Sequence, residues 1–229
     1  MCKKILLVGG GGHCKSVLDS LIELGEFSEI GIIDLKENIA KEILNIPVIG
    51  CDDDLPELFA EGYKYAFVTI GSIGNPILRI KLLDTLDKIG FEIPNIIDPS
   101  AIVSSHARIG SGVFVGKNAV INAGSTVHNG AIINTGVIIE HDCLIDEFVH
   151  IAPGAVLSGE VHIGKNTHIG VNCIIKQHLR IGSNSIIGMG SVILKDIDDY
   201  VIAYGNPVQE KMTVKKMLFI RNRSEGSII

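Results

Sequence analysis

The sequence predicts two folds in series: a small α/β domain of Rossmann-like type, then an all-β parallel β-helix built on a hexapeptide repeat. Three observations carry this. Every sixth residue from Ile97 to Ile193 is aliphatic, seventeen matches with no insertion. The residue four places after each is small at nearly every repeat, Leu179 and Ile197 being the bulky ones. Upstream of the repeat, strand-like and helix-like segments alternate around glycine turns. A period of six fits neither an amphipathic helix nor an alternating strand. Stacked coils that bury one column of equivalent positions produce it.

Taken in order, residues 3–9 read as a buried strand that runs into Gly9-Gly10-Gly11-Gly12-His13. Val17, Leu18, Leu21, Ile22 and Leu24 follow at helical spacing, with Gly25 as the stop. Ile30 to Ile33 is a second strand and ends in Asp34. Residues 54–61 form a short helix with Asp54 as cap and Pro56 in its first turn. Tyr65 to Ile70 is a third strand, and Asn75-Pro76 opens a helix stopped by Gly90. Strand, glycine turn, helix, strand is the pattern of a parallel sheet with covering helices. The division is therefore residues 1–94 as the Rossmann-like domain, 95–207 as the β-helix and 208–229 as a C-terminal tail. Residues 196–207 read as a loop, and 212–220 as a short amphipathic helix. The link between domains is short, so the two should be fixed to one another.

Composition excludes several classes of function. The chain is 46% apolar, yet no run approaches the roughly 18 residues needed to span a bilayer. The start, Met1-Cys2-Lys3-Lys4 before Ile5-Leu6-Leu7-Val8, has too short an apolar run for a secretory signal. Five cysteines without C-x-x-C spacing, two of them at inward repeat positions, point to a reducing, cytoplasmic setting. The net charge of −6 comes from the first 94 residues, with nine Lys/Arg against fifteen Asp/Glu, while the remainder is balanced. Neither part resembles a nucleic-acid binder.

Three hexads close one triangular coil, so residues eighteen apart stack at about the 4.8 Å spacing of neighbouring strands. His141 then lies between Ala123 and Gly159, and His150 lies on His168. His141 and His150 differ by half a coil and sit on opposite sides of the prism. If both serve one site, that site lies between two copies of the chain. Asn134 shares the His150 side. A histidine suits proton transfer near neutrality. At a coil corner Asp142 can come round to the His141 ring, where it would raise the basicity of the imidazole and hold one tautomer. His168 reads as a solvated neighbour of His150, and His106, His128, His162 and His178 as surface positions of the repeat.

The Gly-rich turn ending in Gly12-His13, Asp34 after the second strand, the unbroken repeat and Ile139-Glu140-His141-Asp142-Cys143 together resemble the NeuD/PglD-like sugar acetyltransferases, over nearly all of residues 3–207. The resemblance implies a left-handed β-helix, a homotrimer, acetyl-CoA as donor, a nucleotide-linked and specifically UDP-linked amino sugar as acceptor, and a site between subunits. By position, His141 resembles the general base and Asp142 the group that orients it. His150 resembles a second histidine near the acetyl carbonyl and Asn134 an asparagine near the acceptor. Gly159 resembles the glycine whose N–H stabilises the oxyanion, a donor of a kind typically worth about 2.7–4 kcal/mol. Gly170, Gly188, Gly205 and Pro207, with His150, resemble the edge that holds coenzyme A. Val208 stands where the family more often has alanine. Gly10, Gly11, Gly12, His13, Asp34, Gly71 and Asn75 resemble the nucleotide-sugar pocket, in which glycines admit phosphate to a helix N-terminus.

Other classes fare worse. Cys14 breaks a full G-x-G-x-x-G, which argues against a dinucleotide-dependent oxidoreductase. No two histidines are five apart, the spacing used by zinc-binding prisms of carbonic anhydrase type, so no metal is expected. O-acetylation of a sialic-acid-like sugar is the close alternative, since the same base would serve. A non-catalytic nucleotide-sugar scaffold is the more distant one.

Overall fold

A computed structural model of the chain describes residues 3–213. The N-terminal domain runs β1 (Lys4–Val8), α1 (Gly12–Leu24), β2 (Glu29–Ile33), β3 (Glu42–Ile43), β4 (Ile46–Gly50), α2 (Leu55–Ala60), β5 (Tyr65–Val68) and α3 (Ile77–Ile89). Its sheet has the order β3-β4-β2-β1-β5, parallel except for β3. Gly25 and Gly90 end α1 and α3 in the left-handed region, at φ of 63° and 105°. The β3–β4 hairpin was not legible in the sequence: two short strands turn through Leu44 and Asn45, both at positive φ, without an alternating apolar pattern. Asp54 precedes α2 as expected, but its carboxylate accepts from the Cys51 N–H at 2.8 Å and so caps the preceding turn instead.

The repeat folds as read. One two-residue strand falls in every hexad from Ile96–Ile97 to Val192–Ile193, and these stack into three parallel sheets. Register is eighteen throughout, as in Ile132↔His150↔His168. From Ile121 on, the aliphatic column points inward and is buried, together with the small residues Ala131, Cys143, Ala155 and Cys173. Corners are turned by residues at positive φ such as Gly112, Asn118, Gly136, Asn166 and Asn184, types that tolerate this region. Because each column position touches its stacked equivalents, small deletions are felt. Ile163→Val, at a fully buried position, should cost about 0.5–1.5 kcal/mol in thermal or urea unfolding.

The three faces differ outside. One carries Phe114, Ile132, His150, His168 and Ile186 outward, the second Ile102, Val120, Ile138, Val156, Ile174 and Val192, and the third Arg108, Thr126, Leu144, His162 and Arg180. The N-terminal domain docks on the first. Val17, Leu18 and Leu21 of α1 share a core with Ile5 and Leu7 of the sheet and with Ile96, Phe114 and Ile132 of the prism. The opposite side of the sheet packs on α2 and α3 through Leu6, Val8, Leu55, Leu82 and Leu86. A polar seam adds to this contact: buried Asp98 accepts from Ser20 Oγ at 2.5 Å, and Lys117 reaches Asp98 and Asp19. The domains are thus fixed, as the short linker predicts.

The prism does not end in a loop. Val201–Gly205 pairs in parallel with Ile186–Ile187, and Val208–Thr213 returns antiparallel on it. Residues 208–213 therefore belong to the first face, and Met212 and Thr213 are strand where a helix was expected. The rest of that helix and the basic residues beyond it lie outside the described residues.

Candidate active site

The structure sorts the predicted residues into three groups. The first is an edge between the second and third faces. Ile138–Ile139 ends there, and His141 and Asp142 turn the corner, Asp142 at φ 58°. That backbone brings the carboxylate round, so that His141 Nδ1 lies 2.9 Å from Asp142 Oδ2. Both side chains are well exposed. The hydrogen bond to Asp142, then the negative charges of Asp142, Glu140 and Glu160, hold the His141 pKa above the usual histidine value. Gly159 stacks on the ring as the eighteen-residue register demands. A Cβ there would come within 2.5 Å of His141 Cε1 and Nε2, so the imidazole sits directly against a bare glycine. The Gly159 carbonyl accepts from the His178 N–H, while its own N–H makes no backbone hydrogen bond among the described residues. Gly124, one coil to the other side, leaves the room that the Asp142 carboxylate occupies. Sequence reading missed Gly124, although its eighteen-residue offset from Asp142 marks it.

The second group is the edge between the first and second faces. Asn134, Ala152, Gly170 and Gly188 follow the strands that end at Ile133, Ile151, Ile169 and Ile187, so they form one column about 14 Å long, given three strand spacings. Asn134 Oδ1 accepts from the Thr135 N–H at 2.9 Å. Gly170 and Gly188 each have a packing reason to lack a side chain. A Cβ on the first would strike the Met189 backbone and on the second Tyr204 Cβ, at 2.6 and 2.7 Å. Gly205, at φ 120°, and Pro207 form the turn of the closing hairpin beside this column.

The third group lies in the N-terminal domain, at the carboxyl ends of β1, β2 and β5, where open α/β sheets bind ligands. A cleft of about 260 Å³ is lined there by Gly9, Asp34, Leu35, Lys36, Cys51, Asp52, Asp53, Ile70 and Leu78, among others. Gly10 is held close to the Asp34 carboxylate, and Gly11 and Gly12 open to free space at the uncapped start of α1. Asp34 accepts from the Leu35 N–H and from Asn38 Nδ2, so it also secures its own turn. Asn75 Oδ1 accepts from the Ile77 N–H at the start of α3, and Gly71 lies against His13. The stretch Cys51–Asp53 forms a wall that sequence reading did not include. Burial and neighbouring Asp53 raise the Asp52 pKa.

Two histidines depart from expectation. Of the residues expected in this pocket Asp34 lines the cleft, whereas Gly10, Gly11, Gly12, Gly71 and Asn75 lie outside its lining, and so does His13. Its ring packs edge-on against Phe114 at 5.2 Å, and burial, with His150 and Arg79 nearby, lowers its pKa to about 3. His168, expected in solvent, is buried against His150 with ring centroids 4.9 Å apart and a pKa lowered to about 4, chiefly by burial. Both follow from the docked domain, which covers the outward positions of the first face. His150 is buried there as well, its Nδ1 at 2.8 Å from the Ser72 carbonyl. No cluster of metal-ligating side chains occurs among the described residues.

A prism of hexapeptide coils that exposes a histidine–carboxylate pair beneath a bare glycine, with a cleft at the carboxyl ends of the strands of an attached α/β domain, defines an acyltransferase of the hexapeptide-repeat class. The profile for the PglD N-terminal domain matches residues 4–86, that for the bacterial transferase hexapeptide (six repeats) matches 160–195, and that for the hexapeptide repeat of succinyl-transferase matches 106–141. Among solved structures, a variant of the perosamine N-acetyltransferase of Caulobacter crescentus, in complex with CoA and GDP-perosamine, is 36% identical with a TM-score of 0.87. The match covers 93% of this chain and 98% of that one. The acetyltransferase domain of PglB from Neisseria gonorrhoeae, in complex with acetyl coenzyme A, is 36% identical with a TM-score of 0.86, over 92% and 100% of the two chains. The chain belongs to the NeuD/PglD-like family of sugar acetyltransferases, and its prism is a left-handed β-helix.

Proposed function

We propose that the protein transfers the acetyl group of acetyl-CoA to the amino group of a nucleotide-linked amino sugar, by direct attack with His141 as general base. The single observation that carries this is the His141–Asp142 pair seated under Gly159. A raised pKa makes His141 a stronger base, and Nε2 is left to take the proton of the attacking amine while Nδ1 is held by Asp142. The Gly159 N–H is the donor for the oxyanion that develops as the thioester is attacked. Coenzyme A lies along the column of Asn134, Gly170 and Gly188 toward Gly205 and Pro207, with Asn134 near the acceptor. No metal takes part in this scheme. The Gly10–Gly12 turn takes the diphosphate, and the acidic wall of Asp34 and Asp52 suits donors of the ribose and base rather than phosphate.

Within one copy these edges flank the same face and point apart. That face is a column of aliphatic residues, with Ile102 and Ile174 at 67% and 50% exposure. Packed around a threefold axis, it brings the Asn134 edge of one prism to the His141 edge of the next, so the working unit is a homotrimer. Sedimentation should give three times the chain mass, and a monomer at assay concentration would break this site apart. The enzyme works in the cytoplasm, a reading supported by four buried, unbridged cysteines. No helix among the described residues is long and apolar enough to cross a membrane.

The test is incubation with acetyl-CoA and UDP- and GDP-linked 4-amino sugars, following free thiol and the mass of the product. The relative in complex with a nucleotide sugar carries GDP-perosamine, so the UDP expectation is one arm beside GDP. Thiol release only with a sialic acid would move the reading to O-acetylation, and none with any sugar would leave a scaffold.

The pair also predicts a pH profile. His141 must be neutral to accept a proton, so kcat/KM falls as pH drops through its raised pKa. The acid limb lies above the ordinary value of about 6.5. In Asp142→Asn the largest cause of the shift, the hydrogen bond to the carboxylate, is gone together with its charge, while Glu140 and Glu160 remain. The limb should move down toward that value, and the plateau should drop by about tenfold as the base weakens.

A further inference from the structure

Four buried side-chain nitrogens among the described residues have no hydrogen-bond partner: His13 Nε2, Arg79 Nε, His150 Nε2 and His168 Nδ1. All belong to one cluster where the loop between β5 and α3 meets the first face of the prism. Arg79, on α3, is 3% exposed. Its Nη1 donates to Ser72 Oγ at 3.2 Å and its Nη2 to the Gly130 carbonyl of the prism. His150 donates from Nδ1 to the Ser72 carbonyl. Gly74, at φ 72°, sits directly on Ile186 of the same face. The loop is thus tied to three coils of the prism. Its two ends, Ile70 and Leu78, both line the nucleotide cleft.

We propose that Arg79 and His150 are positioning residues that fix this loop, and with it one wall of the nucleotide cleft, against the prism. His150 acts through its Nδ1 bond to the Ser72 carbonyl on the nucleotide-sugar side of the reaction. Arg79 has no carboxylate partner among the described residues, so as a buried cation it adds little to stability. What its planar fork supplies is geometry: two hydrogen bonds in fixed directions, one to the loop and one to the prism. Burial lowers the His150 pKa, which keeps the ring neutral and suits a fixed Nδ1–H donor.

The kinetic arm of the test rests on the transferase reading, and the exchange arm does not. The amide of asparagine places a donor where His150 has Nδ1, whereas glutamine places one where it has Nε2. In full-length protein, His150→Ala and Arg79→Ala should speed hydrogen exchange over residues 70–78. They should also raise KM for the nucleotide sugar by about tenfold, the scale of one buried hydrogen bond, and in Arg79→Ala kcat and the KM for acetyl-CoA should change less than about twofold. His150→Asn should restore both readouts, and His150→Gln neither. Ser72→Ala, which keeps the carbonyl, is the milder variant if Arg79→Ala fails to fold, and should show a smaller shift in the same direction. The proposal is overturned if His150→Asn loses kcat as severely as His150→Ala while loop exchange stays at the wild-type rate. If the wild type acetylates no nucleotide amino sugar, the transferase reading fails alone. Exchange then decides the tie, and unchanged exchange in the alanine variants overturns it.

Discussion

His141→Ala should lower kcat by about 10²–10⁴-fold, the range for removal of a positioned general base, and leave the assembly and the binding of both substrates in place. The ring is 58% exposed and contributes no packing to the prism column, so its loss is a loss of chemistry. What remains is a nearly neutral acceptor held beside an acetyl thioester with an oxyanion donor but nowhere for the amine proton to go. Thiol release under saturating acetyl-CoA and amino sugar measures kcat, and titration calorimetry with CoA measures the retained site. The pH dependence adds an independent sign. The acid limb assigned to His141 should vanish in the variant, leaving a rate that rises with pH only as solvent base takes over. Turnover within tenfold of the wild type would remove His141 from the mechanism, and loss of CoA binding would make it a ligand contact instead.

How much of this was legible beforehand depends on which side of the prism wall a residue faces. The six-residue period reports inward positions directly, because only a buried column selects one size of side chain at every turn. It therefore placed Cys143 and Cys173 in the core, set the eighteen-residue register, put Gly159 on His141 and separated His141 from His150. Outward positions carry no such signal. Whether His168 is wet or dry is decided by a domain ninety residues earlier in the chain, and nothing in the Ile163–Ile175 segment records that the domain docks there. The inward turn of His13 toward Phe114 and the burial of Arg79 are hidden for the same reason. So is the closing hairpin: Val201–Gly205 sits at the end of the first face but has lost the hexapeptide period, and antiparallel return of Val208–Thr213 has no repeat to announce it. The hairpin at residues 42–50 is too short for any periodicity to be counted.

Gly159→Ala carries the second large effect, and it separates geometry from stability. Gly159 is not in the left-handed region, so alanine meets no backbone strain; what it meets is the imidazole, 2.5 Å from the new methyl group. The ring is a side-chain end with solvent on its other side, and it can swing outward at little cost to folding. Doing so takes it off the thioester path and away from Asp142. A displacement of about 1 Å in a catalytic group is worth on the order of 10²-fold in rate, and that is the expected fall in kcat/KM, with the thermal midpoint nearly unchanged. The backbone N–H at position 159 survives the substitution, so the oxyanion donor is not what is lost. Two measurements test this. The acid limb of the variant should move down toward the ordinary histidine value, because a ring parted from Asp142 loses the largest cause of its raised pKa. In a double-mutant cycle, Gly159→Ala should cost almost nothing once His141 is already alanine. A full second loss in the double variant would mean that Gly159 acts on the substrate directly, through room that the methyl group takes from the acetyl group rather than from the base.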